Sequence, residues 1–262
     1  ACKVMKENKN IKASGKATVY SLFYAQVRRD PDAVALKYQD NVWSYKNLNQ
    51  YVNQLASVFT ECGITKGDRI AILSENRPEY VVAELACAMT GAIIACQNWR
   101  LSNDELEHCL SLVDPKVIMV SARFAEKLDY IKTLDSRIIN FDQDYDSLMS
   151  KSKLDIVPRS IDPEDGLIIL YTSGTTGLPK GALISHRAEI ARMCALRLDC
   201  SITEKDAFVA WSPMFHMAAT DQLLCALMSG STVIIIDGLK LEEIVEAAKH
   251  YTLGWLVMLP GS

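Results

Sequence analysis

The 262-residue chain has no C-x-x-C pair, no apolar run of membrane-spanning length and only a small excess of charge of one sign. Each gap excludes something. With 28 basic and 32 acidic side chains, a net charge of −4 and a pI near 5.6, the chain carries no electrostatic footprint for nucleic acid or an anionic membrane. The longest nearly apolar stretch, 81–96, contains Glu84 and stops short of the roughly 20 residues a membrane helix needs, so no integral membrane contact is expected. Five lysines in the first sixteen residues face only Glu7, which predicts a solvated, flexible tail over 1–16. The tail lacks the basic, apolar, small-residue order of a secretory signal. The eight cysteines sit mostly inside apolar patterns, as Cys87 does in ELACAM and Cys225 in LLCALM. That predicts buried thiols in a reduced, cytoplasmic protein. Four scattered histidines (108, 186, 216, 250) have no zinc-ligand spacing.

What is present is alternation. Residues 33–39 and 42–45 flank Asp40-Asn41 and predict a hairpin. Leu48, Tyr51, Val52, Leu55 and Phe59 recur at spacings of three and four, predicting a helix closed by Gly63. Strands are expected at 69–73, 92–96 and 116–120, and helices at 78–89, from Ser102 onward, and at 122–134. The polar segment 143–165 reads as a linker. Beyond it come a strand at 166–170, helices near 186–198, 217–228 and 241–250, and strands at 208–211, 232–236 and 255–259. The pattern predicts an α/β fold of mainly parallel sheets covered by helices, in two βα layers split near 143–165. The expected units are 17–150 and 151–262, the second incomplete and carrying the glycine loop described next.

Residues 171–181 read YTSGTTGLPKG, directly after an apolar strand. A Walker A loop is excluded: counting from Gly174, its second glycine would fall on Pro179, Lys180 is followed by Gly181, and ALIS beyond reads as a strand. A G-x-G-x-x-G fingerprint is excluded by the spacing of Gly174, Gly177 and Gly181. The remaining chemistry suits a polyphosphate. Thr172, Ser173, Thr175 and Thr176 offer hydroxyls, the glycines let backbone N–H groups turn toward an anion, and Lys180 supplies one mobile positive charge.

YTSGTTGLPKG resembles the phosphate-loop signature of the adenylate-forming superfamily, which includes acyl- and aryl-CoA synthetases. WSYKNL at 43–48, GAIIACQNWRLSNDEL at 91–106 and PMFH at 213–216 resemble further motifs of that family in the same order, so the likeness runs from about residue 17 to the end. Absent are the family's Tyr-Gly-x-Thr-Glu and Thr-Gly-Asp motifs and its C-terminal catalytic lysine, and members usually have about twice this length. The resemblance therefore implies the N-terminal part of a ligase, inactive alone. It implies that a carboxylic acid attacks the α-phosphate of MgATP to give an acyl-adenylate, from which coenzyme A, the co-substrate, displaces AMP. It places Thr172, Ser173, Gly174, Thr175, Thr176, Gly177 and Lys180 around the ATP phosphates, with Thr172 toward magnesium. His216 and Lys180 are the implied catalytic residues, His216 beside the substrate carboxylate. Amino-acid-activating relatives usually place an aspartate at that position, so His216 points to an uncharged fatty or aryl acid. Asp221 reads as a first-turn helix residue or a pocket residue, with the helical role favoured. Trp99 and Arg100 read as structural. A truncated parallel sheet would expose an open edge near 255–259, which predicts self-association, in the simplest case a homodimer.

Overall fold

A computed structural model of the chain describes residues 15–131, 135–153, 156, 158–172 and 177–258. In chain order its elements are α1 (Val19–Arg29), β1 (Val34–Tyr38), β2 (Asn41–Ser44), α2 (Tyr45–Glu61), β3 (Arg69–Leu73), α3 (Pro78–Thr90), β4 (Ile93–Cys96), α4 (Asn103–Val113) and β5 (Val117–Val120). A 3-10 helix (Ala122–Tyr130) follows, then β6 (Arg137–Asn140), α5 (Tyr145–Lys151), β7 (Gly166–Thr172), β8 (Lys180–Ser185) and α6 (His186–Cys200). The last elements are β9 (Ala207–Ala210), α7 (Met217–Ser229), β10 (Thr232–Ile235), α8 (Leu241–His250) and β11 (Leu253–Trp255).

The strands form a six-stranded sheet in the order β6-β5-β3-β4-β7-β8 and a five-stranded sheet in the order β11-β9-β10-β1-β2. Among the described residues, only the β1–β2 and β7–β8 pairs are antiparallel. The expected α/β class is thus what the structure shows, yet the sheets do not sort by the boundary at 150. β1 and β2 join strands from the end of the chain, and β7 and β8 join strands from its beginning.

Alternation along each strand builds the layers, because successive side chains point to opposite faces. Ile70 and Ile72 of β3, with Phe208 and Ala210 of β9, face one large core that also holds α1, α2, α3 and α7. Ala71 and Leu73 face outward to Leu106 and Leu110 of α4 and to Phe124. Val209 and Ile234 face α8 through Ile244 and Ala247. Five layers result, with helix α3 in the middle. Every residue of α3 except Glu79 is buried, as a helix apolar on all sides requires. Pro78 starts α3, and Gly91 ends it at φ 77°, a left-handed position that favours glycine. Hydroxyl capping boxes at Ser44 and Ser102 start α2 and α4.

Three expectations change. Residues 122–130 wind as a 3-10 helix instead of an α-helix, held at several points by tertiary contacts. Ala122 N–H donates to Asp142, Arg123 pairs with Asp237, and Phe124 stacks on Trp99. The first part of the expected linker folds as α5, with Tyr145 and Met149 buried, and β6 extends the sheet just before it. The final strand lies at Leu253–Trp255 rather than 255–259. Trp255 stacks on Phe208 at 5.2 Å, and Gly254 passes so close to Asp206 that a Cβ there would meet its side chain at 2.6 Å. Residues 259–262 and the tail residues 1–14 lie outside the described residues.

Candidate active site

Two regions carry the expected site residues. The first is the pair of arms entering and leaving the glycine loop. β7 and β8 pair antiparallel so that Thr172 faces Lys180 in register and Tyr171 faces Gly181. Thr172 and Lys180 are both exposed, so hydroxyl and ammonium stand on neighbouring strands, open to an anion. Gly177 takes φ 97° on the way into β8, where a side chain would be strained. Ser173, Gly174, Thr175 and Thr176 lie outside the described residues.

Helix α4 holds both arms. On the entry side, Tyr171 Oη accepts from Gln97 Nε2 at 2.9 Å and donates to the Cys109 carbonyl at 3.1 Å. Burial pushes that phenol well above its usual range, so it stays a donor. On the exit side, the Pro179 carbonyl lies 3.1 Å from His108 Nε2, a hydrogen bond when that nitrogen carries the proton. Gln97, His108 and Tyr171 support the loop; Gln97 and Tyr171 lie within the motifs quoted from the sequence, but their bonding to the loop arms shows only in the fold.

The second region is the turn from Ser212 to His216, at the C-terminal end of β9. Open α/β sheets place ligands at such strand ends. His216 is the N-cap position of α7 but makes no side-chain cap hydrogen bond, which leaves its ring free. The residue is exposed, and one side of its ring lies against Phe215, centroids 4.4 Å apart. Trp99 meets Phe215 edge-on at 5.7 Å, and the Arg100 guanidinium sits 4.9 Å over Trp99 and 6.0 Å from Phe215. Trp99 and Arg100 therefore stand against the His216 turn, although sequence reasoning left them out of the site. Partial burial, then the nearby Arg100 charge, lower the His216 pKa, so its ring is neutral at neutral pH.

The turn is held from both sides. Asn76, on the loop after β3, is 2% exposed. Its Nδ2 donates toward the carbonyls of Ala210 (3.2 Å), Ser212 (2.8 Å) and Ile236 (3.0 Å), and its Oδ1 accepts from Met214 N–H at 2.9 Å. From α7, the Thr220 hydroxyl donates to the Met214 carbonyl and lies 3.2 Å from Glu84 of α3.

Asp221 is not in the loop region. It is a helical residue, as favoured, but buried in the second turn of α7 and not the first, and ion-paired with Arg192 of α6. With Glu189 and Glu84 it forms a group of buried carboxyls between α3, α6 and α7. Burial, then the Asp221 charge, push Glu189 up to about 8, and burial raises Glu84 and Asp221 as well. Among the described residues, no group of three or more His, Cys, Asp or Glu side chains could hold a metal ion, and no helix is long and apolar enough to cross a membrane. Cys87, Cys96, Cys109 and Cys225 are buried and free, whereas Cys194 and Cys200 are exposed, contrary to the expectation of buried thiols. Both lie on α6, which presents one face outward.

Comparison with known proteins gives a consistent result. The family described as AMP-binding enzyme matches residues 23–261. Indoleacetate–CoA ligase of Aromatoleum aromaticum is 30% identical over 243 residues, a match covering 88% of this chain and 47% of that protein. The chain thus spans about half the length of that relative. Among solved structures, a fatty acyl CoA synthetase of Mycobacterium tuberculosis superposes with a TM-score of 0.81 at 26% identity, over 87% of this chain and 46% of that one. The O-succinylbenzoate coenzyme A synthetase of Bacillus subtilis, solved with ATP and magnesium, shares the fold with a TM-score of 0.79 at 23% identity, over 90% of this chain and 62% of that one.

Proposed function

The chain belongs to the AMP-binding enzyme family, and on that premise we propose that it is the N-terminal part of an ATP-dependent carboxylate–CoA ligase acting on a fatty or aryl acid through an acyl-adenylate. The observation that carries this reading is the register of β7 and β8, which sets the Thr172 hydroxyl opposite the Lys180 ammonium at the mouth of a glycine loop. Transfer at a phosphorus centre needs positioned donors more than a protein nucleophile. Lys180 offsets charge gathering on the phosphate oxygens as pyrophosphate leaves. Thr172 donates a hydrogen bond to a phosphate oxygen, and positions 173–177 are assigned to the phosphates by the family likeness.

His216 acts on the other reactant. Its neutral ring donates one N–H to the attacking carboxylate or the α-phosphate oxygen. An imidazolium would instead hold the carboxylate in an ion pair and blunt its attack. A histidine followed by Met217 and two alanines offers no anion for an α-ammonium, which favours an uncharged acyl or aryl acid over an amino acid. A magnesium ion bound with ATP neutralises phosphate charge. Thr172 would offer it an exposed hydroxyl oxygen, in keeping with an ion held chiefly by phosphates and water. Free cysteines fit a reducing compartment, the cytoplasm.

The test is carboxylate-dependent exchange of labelled pyrophosphate into ATP by the full-length protein, over fatty, aryl and amino acids. Exchange confined to fatty or aryl acids supports the reading. Exchange with amino acids alone replaces it with an amino-acid adenylation unit. No exchange with any acid rejects it. The 262-residue chain by itself is expected to show no turnover.

A further inference from the structure

Asn76 connects what the two sheets keep apart. Its loop is stitched to the six-stranded sheet, the one that carries β7 and β8. Glu75 accepts the Ser121 hydroxyl at 2.6 Å, and Arg77 binds both Glu79 and Asp142. Asn76 itself reaches across to the five-stranded sheet and makes all its side-chain hydrogen bonds there, to groups at the ends of β9 and β10 and to the turn that presents His216. An asparagine amide has two donors and one acceptor group, and here both ends are engaged in a buried place. Neither Asp, which lacks the donors, nor Leu, which lacks both, reproduces that match. Within the turn, Met214 N–H has its partner in Asn76, and His216 follows two residues later.

We infer that Asn76 is a positioning residue for the adenylation step, setting the place of His216 relative to the sheet that carries Thr172 and Lys180. This rests on the function proposed above. Deleting the amide leaves the Ser212 carbonyl and the Met214 N–H without their Asn76 partner, and the turn can drift. Drift of about 1 Å at a reacting centre costs up to roughly 100-fold in rate.

The experiment has two arms. In the full-length protein, Asn76→Ala and the milder Asn76→Ser are compared with Leu85→Ala, a fully buried core change on α3. Both Asn76 variants are expected to lower kcat for pyrophosphate exchange by about 10-fold or more, with KM for ATP changed by less than about 3-fold. Leu85→Ala, with an equal or larger fall in melting temperature, keeps kcat within about 2-fold. In the 262-residue chain, the ring resonances of His216, assigned by their loss in His216→Asn, are expected to shift in both Asn76 variants and to stay in place in Leu85→Ala. The inference is overturned if the Asn76 variants melt lower but leave kcat and the His216 resonances unchanged, or if Leu85→Ala reproduces their effect. Should the wild-type protein exchange with no acid, the ligase reading fails by itself, and the His216 resonances still decide the role of Asn76.

Discussion

The glycine-loop arms and the His216 turn solve the same problem, placing a polar group at a strand end, in opposite ways. The arms place Thr172 and Lys180 by strand pairing between residues only eight apart, and both side chains are exposed. The turn places His216 by buried hydrogen bonds from Asn76, whose partners lie 134 to 160 residues away in the chain. A grip built locally can be open, since its geometry comes from the backbone ladder. A group built at long range needs burial and full hydrogen bonding to be held at all. Under the proposed function the difference would suit the work: phosphates would meet exposed groups, whereas a single ring would have to stand in one place.

Under the proposed function, removing the exposed group should cost most, because it would act directly on transition-state charge. Lys180→Ala is expected to slow pyrophosphate exchange by about 100-fold or more. Thioester formation from supplied acyl-adenylate should fall far less, since no pyrophosphate leaves in that step. Equal losses in both half-reactions, measured by single turnover, would break the division of labour between arms and turn.

The turn should announce itself through pH. His216 has a lowered pKa, so the acid limb of the adenylation profile should lie below the usual imidazole range, falling by roughly tenfold per pH unit once the ring is mostly protonated. His216→Asn, which keeps an N–H donor but cannot titrate, should lose that limb. Arg100→Gln should move it upward, because the Arg100 charge is the second cause of the shift. A profile of Arg100→Gln that overlays the wild type would show that burial alone sets the ring's state.

Legibility in the sequence follows the same local and long-range split. β3 and α8 match the ranges expected from periodicity, 69–73 and 241–250, because their signal lies within a few residues. The antiparallel β8 is readable too, since ALIS follows a loop too short to hold a crossover helix. The mixing of early and late strands in both sheets is not readable, as strand order depends on partners far along the chain. Asn76 shows why part of the site escapes. In SENRP it reads as a plain helix-start asparagine, and only the fold shows that its amide faces the other sheet while Arg77 takes the N-cap position. Trp99 and Arg100 escape for the same reason, having their contact to Phe215 across 115 residues or more.

The smallest effect on activity concerns the helices behind the turn, where the change falls on stability. Glu189 keeps its proton in the folded chain up to about pH 8, whereas an unfolded glutamate releases it near 4.5. Between those values the unfolded state binds fewer protons, so stability falls as pH rises, the reverse of the usual salt-bridged carboxylate. Asp221 and Arg192 are packed against it from α7 and α6, and Arg192 offsets part of the cost. Glu189→Gln removes the titration while keeping the shape. The variant should match the wild type near pH 4.5 and gain on it steadily as pH rises to about 8. A gain that does not change with pH would mean that Glu189 is already ionised in the fold and held by Arg192. The group behind the His216 turn would then be an ion pair like those on the surface, and the contrast between buried and exposed placement would end at the turn itself.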